Sequence, residues 1–408
     1  MACSALKDDD GSLDPSSDPH VSVATGEEGS GVHVAAVTEA PTGFDGQTNG
    51  FATQAACDAA ADTFSEVELF TDGIGPCFNN TSCVSCHQNP QPAPGTGSQI
   101  TELRAGHFNG TSFVDHPGGS LINDRATDRS IQEHILTGNE VSTLRLTISI
   151  AGDGFVESID SNTLAAISAA QPVGQRGSVI QVPVLESSGN VRVGRFGWKN
   201  QHASLLSFAG DAYINEMGVT NRLFPTENTC NGTVVQGGPF DGKVDVEDTA
   251  NDIDAFTLLM RCLKAPPRGP ITAAVTRGQT VFNNIGCAVC HVGTITTAPA
   301  GTVINAGAFT VPAALGDKNI HPFSDFLMHD VGTGDGIVQN GGAGTRNQVR
   351  TAPLWGIGSR TRFMHDGASV RVIDAIARHG GQASTARSNF NALVAGDQSD
   401  LLAFVFSL

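Results

Sequence analysis

Four of the nine cysteines fall into two copies of one pattern, Cys83-Val84-Ser85-Cys86-His87 and Cys287-Ala288-Val289-Cys290-His291. Two thiols at this spacing, followed at once by an imidazole, are the groups that hold a c-type haem. The thiols add across the porphyrin vinyl groups as thioethers, and the histidine supplies an axial nitrogen to iron. One helical turn sets both sulfurs along one porphyrin edge, and the next residue projects its ring beneath the metal. A single copy arises by accident in roughly one chain in a hundred, and two copies far more rarely. A structural zinc site would need four ligands within each unit, and a redox dithiol has no use for the histidine. The pattern predicts two covalently bound haems, with His87 and His291 as iron ligands, and hence redox chemistry.

Haem attachment of this kind takes place outside the cytoplasm, so the expected location is the periplasm or the outer surface. No stretch approaches the length of a membrane-spanning helix, and no apolar signal run follows Met1. Ala2-Cys3-Ser4 looks like the tail of a bacterial lipobox, in which Cys3 would carry a lipid anchor; an incidental cysteine is the alternative. Cys57, Cys77, Cys230 and Cys262 remain, and in an oxidising compartment they read as two disulfides, paired by proximity as Cys57–Cys77 and Cys230–Cys262. Apolar residues make up 39% and charged residues 16%, enough to build a sizeable core. The net charge of −18 argues against nucleic acid as a partner and favours a basic one such as a small cationic cytochrome, although acidity also serves solubility alone.

The elements that must position the motifs are legible in part. Residues 1–50 are rich in Asp, Gly, Ser, Thr and Pro and read as a flexible tail. Apolar residues at helical spacing (Ala56, Ala59, Ala60, Phe64, Val67, Leu69) predict a helix over 53–70 leading to the first motif. Residues 88–127 read as a long irregular loop wrapped around the haem. Alternation over 176–198 predicts a small β-hairpin turning at Ser187-Ser188-Gly189-Asn190, followed by helices at 204–216 and 246–263. Ala265-Pro266-Pro267 breaks the pattern and divides an N-terminal haem domain, 51–265, from a C-terminal cytochrome c domain, 266–408. In the latter, helices at 273–284 and 398–408 should cross near the haem, with Gly278 permitting close approach. The expected fold is mainly α, two cytochrome c-like haem domains with long loops.

The sequence also resembles a known family. Gly75-Pro76-Cys77-Phe78-Asn79-Asn80, Gly194-Arg195-Phe196-Gly197-Trp198-Lys199, Glu216-Met217-Gly218-Val219-Thr220-Asn221, Phe323-Ser324-Asp325-Phe326-Leu327-Met328-His329-Asp330, Arg350-Thr351-Ala352-Pro353-Leu354-Trp355-Gly356 and Met364-His365-Asp366-Gly367 follow one another in the chain. In that order they resemble the bacterial di-haem cytochrome c peroxidase superfamily, most closely its di-haem oxidoreductase branch, and they span nearly all of the chain after residue 75.

The resemblance implies roles for individual residues. Trp198 matches the tryptophan that relays electrons between the two haems, although Lys199 and Asn200 replace the Asp and Gly of the family's W-D-G-R. Glu216 matches the acid–base carboxylate over the open face of the N-terminal haem, a group that can carry a proton between the oxygens of a peroxide. Leu206 stands where the family places a Gln. His379 matches the distal Met of the C-terminal haem, which would give bis-histidine iron with His291; Met364 and Met328 are the alternatives. Arg360 and Arg362 stand where the family binds an interdomain calcium and would oppose a cation. With Arg350 they suit haem propionates instead. His107, His116 or His134 could close the sixth position of the N-terminal iron; otherwise that iron is open.

The chain therefore reads as an exported di-haem oxidoreductase of peroxidase type. Electrons from a small redox donor would enter at the C-terminal haem and reach a peroxide-like oxidant at the N-terminal one. The rival readings are a di-haem electron carrier without turnover and an oxygen-activating or protein-modifying enzyme.

Overall fold

The computed structural model describes residues 36–88 and 100–408; the expected tail up to residue 35, Cys3 included, and residues 89–99 lie outside the described residues. Ala36–Leu408 form one compact unit. Helix is the commoner regular structure among the described residues, with nine α-helices: α1 (Gln54–Ser65), α2 (Asp153–Glu157), α3 (Ser161–Ala170), α4 (Leu205–Glu216), α5 (Asp252–Cys262), α6 (Ala273–Asn284), α7 (Val372–Arg378), α8 (Ser384–Ala392) and α9 (Ala395–Phe406).

The two haem motifs are held by the same device. α1 precedes Cys83 and packs on α5; α6 precedes Cys287 and packs on α9. On α1, Phe64 sits 5.9 Å from the His87 ring and meets Phe256 of α5 edge-on at 5.8 Å. On α6, Phe282 sits 6.2 Å from the His291 ring and meets Phe404 of α9 edge-on at 5.2 Å. Each phenylalanine thus fills the angle between a helix crossing and the histidine that follows it. What brings the helices together differs. A disulfide joins Cys57 on α1 to Cys262 on α5. At the other crossing Gly278 leaves the room: a Cβ there would strike the Asp400 carbonyl and Phe404.

The second disulfide joins Cys77 to Cys230. The bridges are therefore not the neighbours Cys57–Cys77 and Cys230–Cys262 but long-range links across the fold, because packing α1 on α5 brings Cys57 to Cys262.

Four other expectations are corrected. The helix expected over 53–70 ends at Ser65, where Glu66 leaves helical geometry, and Val67, Leu69 and Phe70 lie exposed beyond it. The segment expected as an irregular loop contains the eight-residue strand Thr101–Phe108, which pairs with Val141–Leu146 and with Phe113–Asp115 and Leu121–Ile122 in a four-stranded sheet. The chain is already docked at Thr38–Glu39, which pairs with Lys318–Asn319, and the Asn49 side chain donates to the carbonyls of Arg261 and Leu263, so residues 36–50 are not a free tail. α5 starts at Asp252 rather than 246, because Asn251 turns the chain at a φ of 60° and the residues before it make contacts of their own. The hairpin is present, with Gln181–Pro183 against Val191–Val193. The main core draws Phe155, Ile159, Leu205, Tyr213 and Ile253 from before Ala265, and Val311, Leu315, Phe326 and Leu327 from after it. A second core is built wholly from 275–408, around Phe282, Leu401 and Phe404.

Candidate functional site

Two large cavities lie at the two motifs. The first is lined by Cys83, Cys86 and His87 on one side and by α4 on the other. Ala209, Tyr213 and Glu216 recur at helical spacing along α4, so one face of that helix forms the cavity wall. Opposite, the strand Thr101–Phe108 sends Glu102 and Arg104 into the cavity, since residues two apart on a strand share a face. Glu216, at the last position of α4, accepts a hydrogen bond from the Asn79 side chain at 2.7 Å and lies 3.8 Å from the Arg104 guanidinium. Glu102 hydrogen-bonds to it as well. Burial, reinforced by the Glu216 charge, holds the Glu102 carboxyl well above the usual range, so Glu102 keeps a proton that it shares with Glu216.

The second cavity is lined by Cys287, Cys290 and His291 and, facing them, by His379 at the end of α7. The two imidazole centroids are 6.5 Å apart. Rings that flank one metal with roughly 2.0 Å metal–nitrogen bonds place their centroids roughly 6.4 Å apart. His291 is hydrogen-bonded through Nδ1 to the Phe323 carbonyl at 2.9 Å, and His379 through Nδ1 to the Ala375 carbonyl at 2.8 Å. Both rings therefore turn Nε2 toward the cavity, the arrangement of a metal-ligating histidine braced by a carbonyl. Met364 lines this cavity, whereas Met328 packs with Ile180, Val182 and Ala203 in a small cluster apart from it. Arg350 and Arg360 line the same cavity; burial lowers both guanidinium groups to about 10, still charged at neutral pH, and Asp153 partly offsets the effect at Arg350.

The donor set fits two haems. Cys83, Cys86, Cys287 and Cys290 are unpaired thiols. Burial pushes Cys86 and Cys287 up to about 12, the opposite of the activated thiolate that a redox dithiol needs. Burial likewise lowers His87 and His291 to about 4, which keeps the imidazoles neutral and able to ligate.

Among the described residues Trp198 is the one that lines both cavities. Its indole N–H donates to the Leu146 carbonyl at 2.7 Å, its own carbonyl accepts from the Arg350 amide at 2.8 Å, and His365 packs edge-on at 6.2 Å. The two substitutions in the W-D-G-R segment have structural answers. Asn200 adopts a φ of 50°, the left-handed region in which Asn is the best substitute for Gly. Lys199 is buried and donates to Asp335 at 3.0 Å and to the carbonyls of Thr345 and Arg346, so it fastens the tryptophan turn to the C-terminal half.

None of the three histidines weighed for the N-terminal iron reaches the first cavity. His107 pairs with Glu140 at 2.7 Å on the surface, buried His116 accepts from the Leu136 amide, and His134 contacts Asn231. Among the described residues His87 is the only imidazole lining that cavity. A glutamine does line it, from Gln201 rather than from the position of Leu206. The sequence reading also missed Glu102 and Arg104. The alternation of Thr101-Glu102-Leu103-Arg104-Ala105 was the available signal, hidden by the glycines and prolines on either side.

Residues 94–408 match the family described as "Di-haem oxidoreductase, putative peroxidase", and the chain belongs to that family. It is an oxidoreductase of the di-haem, peroxidase-like class, and membership assigns it two haem groups. The matched stretch begins just after His87 and includes the second motif, Trp198, Glu216 and His379. Among solved structures, the chain is similar to hydrazine synthase of Kuenenia stuttgartiensis, at 15% identity over 91% of this chain and 90% of that one, with a TM-score of 0.39. It is similar to a MauG-like protein associated with microbial copper homeostasis, at 16% identity over 91% and 93% of the two chains, with a TM-score of 0.40. A third is the di-haem peroxidase BthA of Burkholderia thailandensis, at 16% identity over 62% and 77%, with a TM-score of 0.32. No curated protein matches the chain.

Proposed function

We propose that this is an exported di-haem enzyme holding both haems covalently, through Cys83 and Cys86 and through Cys287 and Cys290. Electrons from a small donor would enter at the C-terminal haem and reach a peroxide-like oxidant at the N-terminal one. The observation that carries the reading is the asymmetry of the two cavities. One offers a second imidazole, His379, across from its motif histidine; the other offers a pair of carboxyls, Glu102 and Glu216, sharing a proton. A site closed by two strong ligands suits electron transfer. A site that keeps one face for a proton-bearing carboxyl suits bond cleavage. Glu216 is placed to accept the first proton of the oxidant and return it to the leaving oxygen, with Glu102 holding the second. Asn79 and Arg104 hold Glu216 in position, and Trp198 offers a π-system between the cavities. Arg350 and Arg360 supply charge for propionates. The two disulfides and the c-haem chemistry favour a periplasmic or outer-surface location.

Electron paramagnetic resonance on the resting, fully ferric holoprotein and again on the half-reduced one, with cyanide titration, tests this. One high-spin iron that binds cyanide is expected, beside one low-spin iron that becomes high-spin in His379→Ala. Glu216→Gln should lower peroxide turnover by about two to four orders of magnitude, while Trp198→Phe slows electron delivery and leaves cyanide binding alone. Two low-spin, cyanide-silent irons would make the protein an electron carrier instead.

A further inference from the structure

Three acidic side chains that the redox chemistry does not use converge beside the segment carrying Glu216. Glu227, Asp245 and Glu247 each present a carboxylate oxygen, and the three oxygens lie within 4.8 Å of one another. Oxygens bound 2.3–2.6 Å from one calcium ion span at most about 5 Å. Glu227 and Glu247 are only 8% and 2% exposed. Neighbouring donors serve two of the three. The Thr220 amide donates to Glu247 at 2.8 Å, the Thr220 hydroxyl to Asp245 at 2.7 Å, and the Gln236 side chain to Asp245 at 2.7 Å. Glu227 is left out: its Oε1 is buried without a partner, and its contact is the Glu247 carboxyl. Lys243 does not relieve it, because its ammonium is directed at the main-chain carbonyls of Glu247 and Asp72. A buried, unpartnered carboxylate facing two others is costly unless a counter-charge enters.

We propose that Glu227, Asp245 and Glu247 form a calcium site. The donors are all oxygen, with no nitrogen or sulfur among them, which selects a hard cation, and a set of three protein carboxyls suits calcium better than magnesium, which keeps most of its waters. With no ion present the three charges do not coexist: burial and the neighbouring carboxylates raise Glu247 to about 7 and Glu227 to about 10. The ion would fasten the loop 221–248 to Thr220. Thr220 follows Glu216 by four residues, in a segment already held by Gly75 N–H to the Met217 carbonyl at 2.9 Å and Asn79 N–H to the Glu216 carbonyl at 2.7 Å. The link to catalysis rests on the reading of Glu216 given above; ion binding itself does not.

Chelator-stripped holoprotein titrated with calcium, by calorimetry and by thermal unfolding, tests the proposal without recourse to turnover. One calcium per chain is expected, with a melting temperature that rises with calcium concentration. Glu227→Gln and Glu247→Gln should each weaken binding by at least about tenfold, whereas Asp62→Asn on the exposed face of α1 should not. Glu227→Gln replaces a carboxyl that must either hold a proton or repel its neighbours, so without calcium it should melt at or above the wild-type temperature, and the order should reverse when calcium is added. Absence of calcium binding by the wild-type protein, or binding that both Gln variants leave unchanged, overturns the proposal and leaves a proton-sharing carboxyl cluster.

Discussion

Glu102 shows what a single buried carboxyl contributes. Its pKa is raised chiefly by burial and then by Glu216, so between the ordinary glutamate pKa and the raised one the folded protein holds a proton that the unfolded chain releases. Folding is therefore linked to proton uptake in that window, and this contribution to stability falls as pH rises through it. The same proton is the one the proposed reaction draws on. Peroxide turnover in the wild-type protein should accordingly lose rate on the alkaline side as Glu102 deprotonates. Glu102→Gln, which keeps a donor but cannot titrate, should flatten that limb and make unfolding less dependent on pH. A pH profile of kcat/KM that is identical in the two proteins would remove Glu102 from the reaction. The residue was hard to read from the sequence because the short alternation that carries it lies between stretches rich in Gly and Pro and gains its meaning only once the strand is paired.

At the scale of elements, the helix-crossing pairs explain which parts of the fold could be read in advance. α6 runs from Ala273 to Asn284 as its apolar spacing predicts, with Thr272 capping its first turn, and Gly278 lies where α9 crosses it. Alanine forms helix better than glycine by about 1 kcal/mol, yet Gly278→Ala should destabilise the protein. Its methyl group would strike the Asp400 carbonyl and Phe404, and overpacking of this kind costs about 1–3 kcal/mol. Thermal unfolding of the holoprotein measures this, and a neutral or stabilising result would mean that the two helices can separate without loss. The strand Thr101–Phe108 was not legible in the same way. Its alternation is short, and its stability comes from pairing with Val141–Leu146, more than thirty residues away, rather than from local preference.

For the whole molecule, the two disulfides tie distant parts of the chain together, and the larger loop, Cys57 to Cys262, encloses the first haem motif and α4. In the loop-entropy description, closing a loop of that size stabilises the fold by about 5 kcal/mol as an upper figure. The double variant Cys57→Ala, Cys262→Ala should therefore unfold at a markedly lower temperature, and addition of reductant should lower the wild-type midpoint toward it. If both proteins melt together under oxidising conditions, the bridge contributes nothing and α1 is held to α5 by Phe64 and Phe256 alone. The sequence by itself determined the two Cys-x-x-Cys-His motifs, the class of chemistry and the helices that lead toward each motif, because each of these depends on residues within one or two helical turns. The pairing of the cysteines, which of His379, Met364 and Met328 faces His291, the absence of His107, His116 and His134 from the first cavity and the meeting of Glu102 with Glu216 were decided only by the tertiary structure. These are contacts between residues far apart in the chain, fixed by which apolar faces pack together rather than by local spacing.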